Sequence, residues 1–335
     1  MKTMENHYIA AMQRALVLAA QGQGRTGSNP VVGCVITNSE GSIIAEGFHT
    51  GGDHAEIVAL KSLAHIPEGA TIVVTLEPCN HVGKTGPCTE AIIDAGIKRV
   101  VFAVADPNPI AAGGFKRLKA AGVEVVAGVL ETESRFVNRA WLHVIEKRRP
   151  LFIWKIASTL DGKTAAQDGT SKWITGESSR DYVSELRRVS DAVLVGTGTV
   201  IADNPELVPH DKSGLPNPLR VIVGERDIAA NSRAMDERAL TFHHRSHDLT
   251  VLCTELLARG VKQVLVESGS VLGTAMVQAG LIDEIILIQA PTLLGAGQSF
   301  IGDLGITTLN DRLDLEVIAY SQIGSDLMTH LKVGR

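Results

Sequence analysis

The first half of the chain alternates two hydrophobic patterns. Short runs rich in valine and isoleucine, such as VVGCVIT and RVVFAV, are typical of buried strands, whereas stretches such as FKRLKAAG place apolar residues at helical spacing. In chain order the pattern predicts helix 4–21, strands 31–37 and 42–49, helix 55–64, strand 70–78, helix 89–96, strand 99–104, helix 115–122 and strand 123–128. This βαβ order indicates an α/β sheet covered by helices.

The pattern restarts after the charged stretch EKRRP at 146–150. It predicts strand 151–159, helix 178–189, strands 191–196 and 219–224, helix 249–260, strand 263–268, helix 272–280 and strand 283–291. A chain of 335 residues exceeds the usual size of one hydrophobic core. We therefore expect two α/β domains, at residues 1–147 and 150–335.

Composition narrows the choice of partners. Hydrophobic residues make up 44% and charged residues 21% of the chain, which is typical of a globular protein. The formal net charge of -5 gives no general attraction to nucleic acid or to an anionic membrane. Polar residues interrupt the apolar positions of the N-terminal helix, so we expect neither a signal peptide nor a membrane span.

The four cysteines, Cys34, Cys79, Cys88 and Cys253, do not form the dense framework of a secreted disulfide protein. We therefore expect the protein to work in the reducing cytoplasm, where thiols are more often buried, catalytic or metal-bound.

Three residues form a candidate metal site. The tripeptide HAE at 54–56 puts an imidazole and a carboxylate at the start of a predicted helix, which alone is a weak sign. Cys79 follows the proline that ends a strand, and Cys88 lies at the N-terminus of the next helix, whose dipole favours a thiolate. One imidazole from His54 and two thiolates would leave a tetrahedral zinc ion with one open position, as in catalytic sites.

Glu56 then has a chemical role. Zinc lowers the pKa of a bound water enough for hydroxide to exist near neutrality, and Glu56 could carry the proton to the substrate nitrogen and the leaving amine. Zinc deaminases combine H-x-E with P-C-x-x-C, but the second cysteine comes later here. Two alternatives stay open: a buried pair of structural thiols, and a closed zinc knuckle with His81 as the fourth ligand.

The segment TLEPCNHVGKTGPCTEAIIDAGIKRV, with HAE upstream and GSNPVVGCV near the start, closely resembles the bifunctional riboflavin-biosynthesis deaminase/reductase family. The long loop between the cysteines is a hallmark of that family, and DPNP at 106–109 also fits. The second half continues the likeness through KIASTLDGKTA, SKWIT, GTGTVIADNPEL and VLVESGSVLGTAM. The resemblance therefore covers nearly the whole chain.

The resemblance implies two reactions in series. An N-terminal domain, similar to cytidine deaminases in its three-layer α/β/α fold, would hydrolyse the 2-amino group of 2,5-diamino-6-(5-phosphoribosylamino)pyrimidin-4-one. A C-terminal domain, similar to dihydrofolate reductase, would then use NADPH to reduce the ribosyl side chain to ribityl. The implied partner is this phosphorylated small molecule, with no nucleic acid or membrane, and two sites sharing one intermediate favour a homo-oligomer.

The resemblance also assigns residues in the first half. His54, Cys79 and Cys88 become the zinc ligands and Glu56 the proton shuttle, as the residues themselves had suggested. Three further candidates for holding the ring, the ribose and the phosphate are Asn29, His81 and Lys84. For Lys84 a plain solvated lysine is an equally good interpretation.

In the second half the chemistry belongs to the cofactor, so residues carry less information. The turn after strand 263–268 could cradle a pyrophosphate at a helix N-terminus, although a tight strand-to-helix turn explains it as well. By resemblance, the cofactor contacts are Ala157, Trp173, Thr199, Asp203, Gly269, Ser270, Val271, Leu272, Gly273, Thr274 and Ala275. The substrate contacts are Ser171, Arg187, Leu207, His210 and Glu267. Core packing remains an alternative for Trp173, and a solvated helix face for Arg187.

Two departures from the family pattern affect this half. After DNPEL the family usually continues with a threonine and then an arginine, whereas this chain has Val208, Pro209 and His210. An imidazole cannot replace the bidentate, permanently charged grip of arginine on a phosphate. The segment 227–248 also looks shortened, although LTFHHRS within it retains a strand pattern, and no clear arginine for a 2'-phosphate stands out.

Three hypotheses follow. The first is the full deaminase/reductase, and the second is an active deaminase whose C-terminal half has decayed into a non-reducing module. The third is a nucleic-acid editing deaminase, which would need a basic groove and stacking aromatics. Net charge -5 and 4% aromatic residues argue against the third.

Overall fold

The computed structural model describes residues 2–81, 86–210 and 214–334, with side chains from residue 7 onward. The chain divides between Arg148 and Arg149 into two compact units.

The first unit is a five-stranded sheet with helices on both faces. Its strands are β1 (Gly33–Thr37), β2 (Ile43–Phe48), β3 (Thr71–Leu76), β4 (Arg99–Val104) and β5 (Glu124–Ala127), in the order β2-β1-β3-β4-β5. Strands β3, β4 and β5 are parallel, and β1 is antiparallel to both of its neighbours. The helices are α1 (Lys2–Ala20), α2 (Ala55–Lys61), α3 (Cys88–Asp94), α4 (Gly114–Ala120), α5 (Glu131–Val137) and α6 (Arg139–Lys147).

Alternation along the strands produces three layers. Ile36 and Ile72 pack in a core that includes residues of α2, α3 and α4. Their neighbours Val35 and Val73 point to the opposite face, where they pack with α1 and α6. Because successive strand residues face opposite sides of a sheet, continuous apolar strands require helices on both faces. The predicted α/β/α fold of this half is confirmed.

The second unit is built on an eight-stranded mixed sheet. Its order is β10-β9-β8-β11-β6-β12-β15-β14, formed by β6 (Leu151–Thr159), β8 (Ala192–Gly196), β9 (Leu219–Val223), β10 (Thr241–His244), β11 (Gln263–Val266), β12 (Ile282–Ala290), β14 (Leu315–Ile323) and β15 (Asp326–Val333). The first six strands in this order, from β10 to β12, are parallel to one another. Strand β15 is antiparallel to β12, and β14 is antiparallel to β15. The short strands β7 (Lys163–Ala165) and β13 (Gln298–Ser299) pair separately.

In the described part of this unit, four α-helices accompany the sheet: α7 (Glu177–Arg188), α8 (Thr197–Asp203), α9 (Leu249–Ala258) and α10 (Ser270–Gln278). The strand expected in LTFHHRS is confirmed as β10, so the shortened segment still completes the sheet edge. Buried Arg220 on β9 stabilises that segment, because its guanidinium donates to the carbonyl oxygens of Ala234 and Asp236 and pairs with the Asp236 carboxylate.

Gly273 in α10 packs directly against the indole of Trp154. A Cβ at this position would lie 2.1 Å from Trp154 Cζ2, closer than real atoms approach. Gly273→Ala should therefore lower the thermal unfolding midpoint, through overpacking that costs about 2 kcal/mol. Gly269→Ala is the matched control, since a Cβ there meets nothing within 4 Å. An unchanged midpoint for Gly273→Ala in calorimetry would contradict this packing.

Candidate active sites

The predicted metal ligands meet in one cluster. His54 precedes α2, Cys79 follows β3, and Cys88 is the first residue of α3. The His54 Nδ1 atom lies 3.5 Å from Cys79 Sγ and 3.3 Å from Cys88 Sγ. The three donor atoms all lie within 4.8 Å of one another, and both thiols are buried.

This donor set fits zinc. Ligand atoms about 2.0 and 2.3 Å from a tetrahedral ion lie about 3.5 Å apart, which matches the nitrogen–sulfur separations here. A hydrogen bond between the two thiols lowers the pKa of Cys79, which favours a thiolate ligand. Within the described residues His81 does not belong to the cluster. Among the described residues, the cluster therefore offers three ligands for such an ion.

Glu56 lies beside the cluster without belonging to it. It occupies the first turn of α2 and is 3% exposed. Burial raises the pKa of its carboxyl to about 7, and the carboxyl also interacts with Cys88. A carboxyl group with a pKa near neutrality can both take up and release a proton.

The cluster forms part of the lining of a cavity of about 340 Å³. Asn29 and His81, both predicted substrate contacts, also line the cavity. The cavity therefore combines the aromatic ring of Trp141, several hydrogen-bonding groups and two of the three candidate ligands, His54 and Cys79. Lys84 lies outside the described residues, so its assignment stays a prediction.

Sequence reasoning missed several of the lining residues. His49 is buried, with its Nδ1 atom 3.1 Å from the Asp53 carbonyl oxygen and its Nε2 atom 3.3 Å from Asn29 Nδ2. Asp106 and Asn108 come from the DPNP segment, which was noticed only as a family feature. Their role could have been inferred from the general rule that loops after parallel strands carry site residues.

A buried carboxylate holds this rim in place. Glu77 directly follows β3 and accepts backbone hydrogen bonds from Asp106, at 3.0 Å, and from Phe115, at 2.8 Å. The loop after β4 and the start of α4 are therefore tied to the strand that leads to Cys79. Burial raises the pKa of Asp106, which faces the cavity.

In the second unit, two predicted substrate contacts form a buried ion pair. Arg187 Nε and Nη2 donate to the two carboxylate oxygens of Glu267, at 2.5 and 2.9 Å. Lys155, which sequence reasoning missed, lies 3.6 Å from the same carboxylate. Burial alone would raise the pKa of Glu267, but the charges of Arg187 and Lys155 outweigh it and lower the pKa to about 2. The alternative of a solvated face for Arg187 is wrong.

The DNPEL segment reaches the same cluster. Arg187 Nη1 donates to the Val208 carbonyl oxygen at 3.1 Å, and Leu207 is buried with a left-handed backbone. His210 is exposed, and its backbone N–H donates to Ser184 Oγ. This bond places the His210 backbone beside α7, and the imidazole offers no forked donor.

The turn at 269–275 differs from the expected form. Helix α10 begins at Ser270, two residues earlier than predicted, because Gly269 takes the extended N-cap conformation. Gly273 and Thr274 are consequently buried inside the first helical turns, and Thr274 accepts a hydrogen bond from the Gly302 backbone. Gly269 and Val271 remain exposed, so open space lies over the start of the helix.

Three of the other predicted cofactor contacts lie on β6 and on the helix that follows β8. Ala157 lies near the end of β6, and Thr199 and Asp203 lie on α8, which directly follows β8. Trp173 is 71% exposed, so core packing is excluded for it. The Cζ atom of the Arg180 guanidinium lies 4.2 Å from the centroid of the Trp173 ring. Ser171 lies in the same loop before α7.

The family profile of the cytidine and deoxycytidylate deaminase zinc-binding region matches residues 5–104, and that of the RibD C-terminal domain matches residues 150–329. The riboflavin biosynthesis protein RibD of Mycobacterium tuberculosis is 42% identical over 96% of this chain and 96% of its own length. The corresponding protein of Escherichia coli is 36% identical, and the match covers 98% of this chain and 99% of that protein.

A crystal structure from Thermotoga maritima agrees over both units. It is described as a diaminohydroxyphosphoribosylaminopyrimidine deaminase/5-amino-6-(5-phosphoribosylamino)uracil reductase. It has a TM-score of 0.92 and 35% sequence identity, and the match covers 99% of this chain and 100% of that chain.

These findings define the class as an enzyme that joins a zinc-binding deaminase domain to a reductase domain. The chain belongs to the RibD family of riboflavin biosynthesis proteins. The expected activities, the two-domain α/β fold and the cofactors zinc and NADPH are thereby confirmed. Among the described residues, no helix is long and apolar enough to cross a membrane.

Proposed function

We propose that His54, Cys79 and Cys88 hold the zinc ion of the deaminase and that Glu56 moves the proton. The observation that carries this proposal is the three-ligand cluster opening into a cavity beside a buried carboxyl group. A bound zinc ion would lower the pKa of a water molecule in its open position to about 7. Glu56 would take the proton of the attacking water and deliver it to the substrate nitrogen and the leaving amine.

The cavity walls would hold the phosphorylated pyrimidine. Asn29 and His81 would donate or accept hydrogen bonds at the ring and the ribose, with Lys84 as the cation for the phosphate. His49, wedged between Asn29 and the Asp53 carbonyl oxygen, would fix the orientation of Asn29. Such fixed donors orient the reacting carbon without a rearrangement of the site.

In the reductase domain, Arg187 and Glu267 would bind the deaminated product, with Ser171, Leu207 and His210 around them. NADPH would supply the hydride. Ala157, Trp173, Thr199, Asp203 and residues 269–275 would hold the cofactor. All but Trp173 lie on or just after β6, β8 and β11, near the strand ends at which α/β sheets bind dinucleotides. Two hydrogen bonds fix the orientation of the Arg187 and Glu267 side chains, which suits a binding role.

A coupled measurement tests whether both steps run in one chain. The purified protein receives the diamino substrate and NADPH, and ammonia release and NADPH oxidation are followed together. We expect equal amounts of both products. Ammonia without NADPH oxidation would instead favour an active deaminase with a non-reducing C-terminal module.

The substitution at His210 gives a specific prediction. Restoring a forked cation with His210→Arg should lower the KM of the reductase for its phosphorylated substrate by about tenfold, as expected for a charge-assisted hydrogen bond. His65→Arg adds the same charge at an exposed position of the other domain and serves as the control. If His210→Arg leaves KM unchanged, His210 does not face the phosphate.

We also propose that the chain forms a homo-oligomer and works in the cytoplasm. The edge strand β14 leaves Val317 and Tyr320 exposed, and Leu327 on β15 is exposed as well, which favours a second copy as the cover. Light scattering should give at least twice the mass of one chain.

The proposed location in the cytoplasm is supported by the four cysteines, which are free thiols and therefore suit a reducing compartment.

A further inference from the structure

Arg226 lies at the cofactor side of the reductase sheet, where no role was expected for it. It follows β9 in the sequence Gly224-Glu225-Arg226. Gly224 has φ +124°, and a Cβ there would lie 2.8 Å from Thr197 Oγ1. Only glycine therefore allows the end of β9 to approach the start of α8 so closely.

The guanidinium of Arg226 contacts the first turn of α8, the helix that follows the neighbouring strand β8. Its Nε atom donates to Thr197 Oγ1 at 3.3 Å, and a Cβ on Gly198 would lie 2.8 Å from its Nη2 atom. Thr197 and Gly198 form the first turn of α8, the helix that also carries Thr199 and Asp203. The charged head of Arg226 thus lies against the first turn of the helix that carries two of the predicted cofactor contacts.

The charge of Arg226 is not neutralised within the described chain. Many arginines of the second unit form carboxylate pairs, and among its neighbours Arg245 pairs with Asp227 at 2.8 Å. No described carboxylate pairs with Arg226, although acidic residues flank it on both sides. Its side chain is exposed, so a ligand can reach its remaining donors.

The strand order of the sheet indicates which part of the cofactor would lie next to Arg226. The proposed substrate cluster of Lys155, Arg187 and Glu267 lies at β6 and β11. Strand β8 comes next in the sheet, and β9 lies beyond it. A dinucleotide with its nicotinamide at the substrate cluster and its pyrophosphate over the starts of α10 and α8 therefore brings its adenosine end to β9.

We propose that Arg226 binds the 2'-phosphate of NADPH and sets the preference of this enzyme for NADPH over NADH. This inference rests on the proposed reductase function. A forked guanidinium suits a phosphate, and an arginine beside the adenosine ribose is a general means of accepting the 2'-phosphate. Glu225 next to it is the residue type that would otherwise favour a free 2'-hydroxyl, so the selectivity depends on Arg226.

Calorimetric titration of the full chain with NADP+ and with NAD+ tests the proposal without any turnover. The wild-type protein should bind NADP+ at least tenfold more tightly than NAD+. Arg226→Gln should weaken NADP+ binding by at least tenfold and leave NAD+ binding unchanged. The control Arg245→Gln, in the loop after β10, should keep the wild-type ratio, and thermal midpoints should show that both variants fold.

The outcomes separate the two levels of inference. An unchanged NADP+/NAD+ ratio in Arg226→Gln, or an equal loss for both dinucleotides, would overturn the assignment of Arg226 alone. If neither dinucleotide binds the wild-type protein, both the assignment and the proposed reductase function are wrong.

Discussion

Glu56→Gln should reduce deamination by about 10³-fold, because glutamine keeps the shape of the buried side chain but cannot carry a proton. The carboxyl group lies beside the three ligands, where it is 3% exposed and interacts with Cys88. Reduction of the supplied deaminated intermediate should continue at the wild-type rate. Ammonia release and NADPH oxidation, measured separately, check the two halves of this prediction.

The control for this variant is Glu68→Gln, an exposed carboxylate of the same domain. It should leave both activities intact. Zinc content should stay the same in Glu56→Gln, since Glu56 is not among the three ligands. Deamination that survives in zinc-loaded Glu56→Gln would remove Glu56 from its assigned role.

Glu267→Ala should both abolish reduction and destabilise the reductase domain. The substitution leaves the largely buried cations Arg187 and Lys155 without their shared carboxylate, and such a loss costs about 3 kcal/mol or more. Glu267→Gln keeps the packing and should separate the effects, with a smaller loss of stability and an equally severe loss of NADPH oxidation. Urea unfolding and the reductase assay provide the measurements.

Asp314→Ala, in the same domain, is the control for stability. Asp314 pairs with Arg312 at 2.8 Å, and both side chains are mostly exposed, at 73% and 60%. An exposed pair contributes about 1 kcal/mol at most. If Glu267→Ala is no more destabilising than Asp314→Ala, the buried cluster does not hold the domain as described.

The candidate metal cluster could be predicted from the sequence because its chemistry lies in residue types. Two cysteines and a histidine with this spacing suggest a metal site, and Glu56 is only two residues from His54. His49 gave no such signal, since a lone histidine at the end of a strand is not distinctive. Its role depends on the fold that brings Asn29 and the Asp53 carbonyl oxygen to its ring.

Lys155 shows a different limit of sequence reasoning. It lies in an apolar strand, where a lysine gives no functional pattern. The parallel pairing of β6 with β11 places Trp154 opposite Val266 and therefore Lys155 beside Glu267, which is 112 positions later in the chain. Strand register between distant segments cannot be read from local periodicity.

Some of the fold was missed for a related reason. Helices α5 and α6 were not predicted, because charged residues such as Arg135 and Lys147 obscure the short apolar stripe that includes buried Trp141 and Leu142. Strand β14 is mostly exposed on both faces, so it lacks the alternation that identifies a half-buried strand. These elements depend on tertiary pairing more than on their own pattern.

X-ray absorption at the zinc edge of fully loaded protein tests the central claim most directly. A site made by His54, Cys79 and Cys88 should show two sulfur neighbours at about 2.3 Å and two lighter neighbours at about 2.0 Å. One of the lighter neighbours should exchange with added small anions, and His81→Ala should leave the spectrum unchanged. A fourth ligand that disappears in His81→Ala, or purified protein that binds no zinc, would contradict the account.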